Sequence, residues 1–271
     1  MSIARILIVA GSDSGGGAGI QADIKAVTMM GGHAMTAITA VTMQNTLGVS
    51  GVVSIPPDAV AAQMRAVIDD IGVDAVKTGM LGDAATIAAV ADVLAGLDQN
   101  VPIVVDPVMV AKGGASLLAD AAIGALLERL LPLATLVTPN IPELEALTGR
   151  QIGNAQDAAD AARALASAIG VAVLAKGGHL PGGEVVDQLI SADGDRRWAD
   201  PRIDTRHTHG TGCTLASAIA AGLGAGLAMA EAVTRARAYV RAAMLAAPGL
   251  GRGHGPLGHA LGVVPFDLVK P

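Results

Sequence analysis

Nine residues in the last third of the chain, His209-Gly-Thr-Gly-Cys-Thr-Leu-Ala-Ser217, combine features that chemistry can use. Two glycines bracket Thr211, and an Ala-rich helical pattern begins at about Thr211. Glycine lets the backbone turn sharply and lets a ligand come close. The first amides of a helix lack internal partners and point outward, and the helix dipole favours negative charge there. The amides of Gly210, Thr211, Gly212 and Cys213 therefore make an anion cradle. Cys213 is the only cysteine. At a helix start its pKa is expected to be lowered toward the thiolate, which makes it a candidate base. The same residues also fit an ordinary turn and a small buried thiol.

Other polar residues stand where apolar, strand-like runs end. Asp13 and a glycine loop follow the first run, and Gln44-Asn45 the second. Thr78-Gly-Met80 follows the third, Asp106 the fourth, Asn140 and Glu143 the fifth, and Lys176 the sixth. Burying polar groups without partners is costly, so their convergence points to a polar ligand. The set suits phosphoryl transfer, which needs charge neutralisation, positioning and a base for the attacking hydroxyl. Lys176 would meet a phosphate. Asp106, Asn140 and Glu143 are oxygen ligands suited to Mg²⁺, which binds few carboxylates and keeps several waters. Cys213 would take the proton of an alcohol. Structural readings stay open beside these. Asp106, Gln44 and Asn45 fit turns, Lys176 a solvated loop, Met80 core filling, and Asp23 a surface helix position near Lys25. His33, His179 and His254 lack metal-ligand spacing.

These residues must be positioned by alternating strands and helices. Arg5–Ala10 is a continuous apolar run, as in a strand buried on both faces. Gly11–Gly19 is a glycine-rich loop without the P-loop ending or a Rossmann spacing. Helices are expected at about Ala18–Met30, after Pro56-Pro57, after the N-cap residue Asp83, and at Ala155–Ile169. Further helices are expected around Ile123, Leu126 and Leu130 after a Gly113-Gly114 loop, from Thr211, and through Met229, Val233, Val240 and Met244. Strands are expected at Ala37–Met43, Ala75–Lys77, Ile103–Val105, Leu136–Thr138 and Val171–Ala175. Val185–Ile190 and Arg196–Ala199 read as an antiparallel pair, and a strand-like segment ends near Asp204. The pattern implies one three-layer αβα domain over residues 1–271, with a mainly parallel sheet and ligands beyond the strand ends.

Composition bounds the function. The chain has 271 residues, 52% hydrophobic and 15% charged, enough for an extensive core. Tyr239, Trp198 and Phe266 are its only aromatics, so a planar ligand must rest on aliphatic, Met and backbone surfaces. A net charge of −6 without basic runs argues against nucleic acid. The single cysteine fits a reducing cytosol. His207–Ala230 lacks charged residues but is dominated by Ala, Gly and Thr. It reads as a packed helix rather than a membrane span.

The chain closely resembles the hydroxymethylpyrimidine/phosphomethylpyrimidine kinases, thiamine-biosynthesis enzymes of the ribokinase-like superfamily. The matching stretches are Ala10–Lys25, Thr39–Asn45, Lys77–Leu81, Asp106–Lys112, Thr138–Glu143, Lys176–His179 and Thr208–Leu215, in the family's order. The resemblance implies a ribokinase-like αβα fold and two ATP-dependent steps. The first phosphorylates 4-amino-5-hydroxymethyl-2-methylpyrimidine, and the second converts the monophosphate to the diphosphate. It implies Cys213 as the base, with Gly210, Thr211 and Gly212 at the phosphoryl group. It implies Gln44 on the aminopyrimidine edge, with Asp23, Met80 and Gly11 in the pocket. Lys176, Asp106 and Asn140 would serve ATP, and Glu143 and Asp106 the Mg²⁺. Arg206-His207 departs from the family's frequent Lys-Asn. A cytoplasmic homodimer is the expected form. Pyridoxal kinase on the same scaffold is the nearest alternative, and a non-catalytic vitamin-binding protein a more distant one.

Overall fold

The computed structural model describes residues 3–109 and 122–262. The Gly113-Gly114 loop, the Val110–Lys112 end of one matching stretch, and Phe266 lie outside them. The strands are β1 (Arg5–Asp13), β2 (His33–Asn45), β3 (Gly48–Ser54), β4 (Ala75–Thr78) and β5 (Ile103–Val105). They continue with β6 (Leu136–Val137), β7 (Ala172–Ala175), β8 (Glu184–Ile190) and β9 (Arg196–Pro201). The helices are α1 (Gly19–Met29), α2 (Pro57–Asp70), α3 (Ala84–Leu94), α4 (Ala122–Ala125), α5 (Ile141–Thr148), α6 (Ala155–Ile169), α7 (Thr211–Gly224) and α8 (Met229–Leu245).

Among the described residues these strands form one sheet, in the order β3-β2-β1-β4-β5-β6-β7-β8-β9. The pairs from β2 to β7 are parallel, and β3, β8 and β9 add antiparallel edges. Successive residues of a strand face opposite layers. Leu7, Val9, Val76, Val105 and Val137 pack with α2, α3, α5 and α6 on one face. Ile6, Ile8, Ala75, Val104 and Leu136 pack with α1, α7 and α8 on the other. The apolar runs are thus buried on both sides, as a three-layer αβα fold requires.

From β1 the chain runs to β2 and β3 on one flank, then crosses to β4 on the other. The order reverses between β1 and β4, where a crevice opens beyond the strand ends. The charge-free stretch becomes α7, pressed between this part of the sheet and α8. A side chain on Gly224 would lie 2.8 Å from Ile6 Cδ1, and one on Gly222 3.0 Å from the Ala232 Cβ. Small residues are what allow that approach. Among the described residues no helix is long and apolar enough to cross a membrane.

Two details differ from the sequence pattern and one follows it. β3 was not expected, because an edge strand with an exposed face loses the apolar alternation that marks buried strands. The segment expected to end near Asp204 ends as β9 at Pro201. β9 also lies at the sheet edge, so residues 202–210 carry the chain back to start α7 over the centre. Asp83 caps α3 as its type suggests, its carboxylate accepting from the Thr86 amide at 2.8 Å.

Candidate active site

One cavity of about 450 Å³ opens beyond the ends of β1, β2, β4 and β5. It is lined by Gly11, Gln44, Met80, Asp106, Asn140, Glu143, Lys176, Gly210, Thr211, Gly212 and Cys213. Of the residues given a role by the family resemblance, only Asp23 is missing from its walls.

The start of α7 forms one wall. Gly210 has φ +83°, and a side chain there would run into the Gly17 carbonyl, so the turn sits directly on the glycine loop. A side chain on Gly212 would stand 3.2 Å from Lys176 Nζ and 3.5 Å from Asp106 Oδ2. The first turn of the helix therefore opens onto a lysine and a carboxylate. Lys176 Nζ donates to Asp106 Oδ1 at 2.8 Å, and the Thr138 hydroxyl reaches the same oxygen at 3.2 Å. Burial works against the Lys176 charge, but Asp106 and Glu143 outweigh it and raise the ammonium pKa.

Asn140 and Glu143 form a capping box at the start of α5. The Glu143 amide donates to Asn140 Oδ1 at 3.0 Å, and the Asn140 amide donates to Glu143 Oε2 at 2.8 Å. Glu143 is 6% exposed. Burial pushes its carboxyl up to about 7, with Lys176 pulling the other way. A buried carboxyl with this tendency takes its charge most readily when a cation arrives. Among the described residues no three His, Cys, Asp or Glu side chains cluster to hold a metal. Asp106 and Glu143 still fit Mg²⁺, which needs only one or two carboxylates when phosphate and water complete its shell.

Two expectations need correction. Cys213 was expected to have a lowered pKa. Burial instead pushes the thiol up to about 12, with Lys77 opposing and Asp23 and Asp106 adding to the rise. Desolvation disfavours the thiolate more than the helix start and the Gly19 amide favour it. Asp23 was expected in the pocket, or alternatively on the surface near Lys25. It is fully buried on the inner face of α1, beneath the cavity floor. Lys77 Nζ donates to both its oxygens at 2.9 Å, and Ser217 Oγ donates to Oδ1 at 2.7 Å. Asp23 thus holds Lys77, which does line the cavity. Lys25 turns away to the Gly16 carbonyl.

The pocket end is built around Asp13. Its carboxylate accepts from the amides of Gly15, Gly17 and Ala18 at 2.8–3.0 Å and meets His209 Nε2 at 2.9 Å. Burial alone would raise its pKa, but these donors hold it below the usual value. His209 also lies 3.2 Å from the Gln44 amide. Met80 covers Gly11, where a side chain would stand 3.1 Å from the Met80 sulfur. Lys77 and His209 were not singled out from the sequence. A lysine inside the apolar run Ala75-Val76-Lys77 was the available signal for the first. His209 carried no spacing that marks a partner far away in sequence.

Comparison with known proteins places the whole chain. The phosphomethylpyrimidine kinase family model matches residues 13–258. The Streptomyces coelicolor hydroxymethylpyrimidine/phosphomethylpyrimidine kinase is 51% identical over 254 residues, covering 94% of this chain and 93% of that one. The Geobacter sulfurreducens thiamine biosynthesis bifunctional protein ThiED is 54% identical over 256 residues; the match covers 94% of this chain but 52% of that protein. A crystal structure of a Bacillus subtilis pyridoxal kinase in complex with ADP superposes with a TM-score of 0.87 at 36% identity, covering 96% of this chain and 98% of that one. Likeness this close, running from the Asp13 loop through the start of α7 to the segment beyond α8, makes the chain a member of the phosphomethylpyrimidine kinase family.

Proposed function

We propose that the protein transfers the γ-phosphoryl group of ATP to the hydroxymethyl oxygen of 4-amino-5-hydroxymethyl-2-methylpyrimidine. A second transfer, to the monophosphate, gives the diphosphate used in thiamine diphosphate biosynthesis. The observation that carries this is the joining of an anion-binding helix start, Lys176, Asp106 and Glu143 to a small aliphatic pocket with an amide at its end, all in one cavity.

In this reading Gln44 pairs with the ring edge, while Met80 and Gly11 shape the pocket. The amides of Gly210, Thr211, Gly212 and Cys213 hold the phosphoryl oxygens. Lys176 neutralises phosphate charge, and Asp106 and Asn140 position the nucleotide. Asp106 and Glu143 hold Mg²⁺, which when bound offsets the phosphate charge. The alcohol oxygen bonds to phosphorus as the bond to ADP breaks, and Cys213 takes the alcohol proton. Cys213 must be the thiolate to do so, and it couples electrostatically to both Lys77 and Lys176.

The proposal extends to a single kinase domain over residues 1–271, because both apolar cores share one sheet. It includes a cytoplasmic homodimer, with the free Cys213 fitting a reducing compartment. Val41, Met43, Val52 and Val53 expose an apolar edge on β2 and β3 suited to a second copy. Pyridoxal is the second substrate to test, given the likeness to a pyridoxal kinase structure. ATP consumption with the pyrimidine alcohol, its monophosphate and pyridoxal decides. Turnover on both pyrimidines is expected. Turnover on pyridoxal alone sinks the proposal.

A further inference from the structure

We infer that His209, held by Asp13, locks the side-chain amide of Gln44 in one orientation. The pocket then selects an aminopyrimidine edge over the reversed edge of an oxopyrimidine. The inference rests on the reading of the substrate given above and adds a positioning residue to it.

Asp13 is 3% exposed and receives three backbone amides besides His209. An anionic carboxylate has no proton to give. His209 Nε2, 2.9 Å away, must therefore carry the proton between them. The same Nε2 faces Gln44 Nε2 at 3.2 Å. Two donors then oppose each other. On the other flank, the Thr42 hydroxyl contacts Gln44 Oε1 at 3.2 Å and the Ser12 carbonyl at 3.0 Å. One hydroxyl proton would have to be divided between two acceptors.

Amide oxygen and nitrogen have nearly the same shape, so their partners decide which is which. Turning the Gln44 amide over removes the donor–donor contact and frees the Thr42 proton. The Gln44 oxygen becomes the second, longer acceptor of the His209 proton beside Asp13, its nitrogen donates to Thr42, and Thr42 donates to Ser12. One lone pair and one N–H then remain, side by side on the amide's outer edge in the cavity wall. That edge complements a ring nitrogen beside an exocyclic amine. A 4-oxo ring presents an N–H beside a carbonyl oxygen, so it meets donor with donor and acceptor with acceptor. An amide free to turn would read either ring. The lock discriminates because a mispaired buried polar edge binds far more weakly.

The test is calorimetric titration of the 4-amino alcohol and its 4-oxo counterpart into wild-type protein, His209→Leu and Thr42→Val. Wild type should prefer the amino ring by about 100-fold or more, as expected for two mispaired hydrogen bonds. In His209→Leu the preference should shrink at least about tenfold, mainly because the oxo ring gains affinity. ATP affinity should stay unchanged, which separates the lock from general damage to the fold. Thr42→Val keeps the shape of Thr42 and should shrink the preference by a smaller factor. It carries the test alone if His209→Leu does not fold. An undiminished preference in the folded variants overturns the lock. Wild type binding both rings equally overturns it too, while leaving the substrate reading intact. Wild type binding neither ring removes that reading and the lock with it.

Discussion

The two ends of the cavity follow different rules. At the Gln44 end and along the floor, charged groups are satisfied within the protein. Asp13 has four donors, and Asp23 lies between Lys77 and Ser217. At the Lys176 end only Lys176 and Asp106 pair, and the acidic groups beside them are left without their charge. Glu143 is buried with its charge disfavoured, and the Cys213 thiol is held far from ionisation. A neutral ring can be met by a surface finished in advance. A polyphosphate cannot, because a site neutralised beforehand has no charge left to offer it. The first region should thus show its energetics in the stability of the free protein, and the second in turnover.

The largest effect should come from Asp23→Ala. It leaves Lys77 buried without a counter-charge, expected to lose about 3–5 kcal/mol in denaturant unfolding. Lys77→Met combined with Asp23→Leu should recover most of that. A stable Asp23→Ala protein would break the contrast at its strongest point. Next comes Cys213→Ala. Turnover should fall by on the order of 10²-fold or more, with little change in KM for the pyrimidine and little loss of stability. Unchanged turnover would take Cys213 out of the chemistry. The third is a pair of isosteric changes measured without ligand. Asp13→Asn should cost about 2–3 kcal/mol, because the carboxylate's amide and imidazole donors lose their charged acceptor. Glu143→Gln should stay within about 1 kcal/mol. Equal losses would mean that the two ends do not differ.

Residues that act where they stand were legible in the sequence. Asp106, Asn140, Lys176 and Gln44 each follow an apolar run, and parallel strands bring such positions to one edge. The capping box at Asn140 and Glu143 is a local pattern. What was not legible depends on partners far apart in sequence. Asp23 is 54 residues from Lys77 and 194 from Ser217, so its burial had no local sign. His209 and Asp13 are separated by 196. Cys213 failed for a related reason. Its helix start can be read from the sequence, but the packing beside Gly19, Lys77 and Asp23 that desolvates the half-buried thiol cannot.

The smallest effect contrasts two histidines. His209 donates to an anion. His259, 5% exposed, instead meets the hydroxyl of Thr214 in the first turn of α7, with Nε2 at 2.9 Å. Burial, aided by the nearby charge of Lys25, lowers its pKa to about 4, although a bond to Leu257 opposes this. Tyr239 on α8 donates to its carbonyl and stays neutral. Between the ordinary value of 6.5 and about 4, the unfolded chain binds a proton that the folded protein refuses. Stability must therefore fall as pH drops through that window, by about 1–2 kcal/mol between pH 7 and pH 5. The folded-state pKa of Asp13 is depressed, so its contribution is lost only below that range. Glu143 acts in the opposite sense, but equally in wild type and in His259→Gln. Urea midpoints of these two proteins at pH 5, 6 and 7 isolate the effect. Wild type should lose ground to the variant in acid. Parallel midpoints would mean that His259 takes up its proton without leaving Thr214, and that the back of α7 is more open than its front.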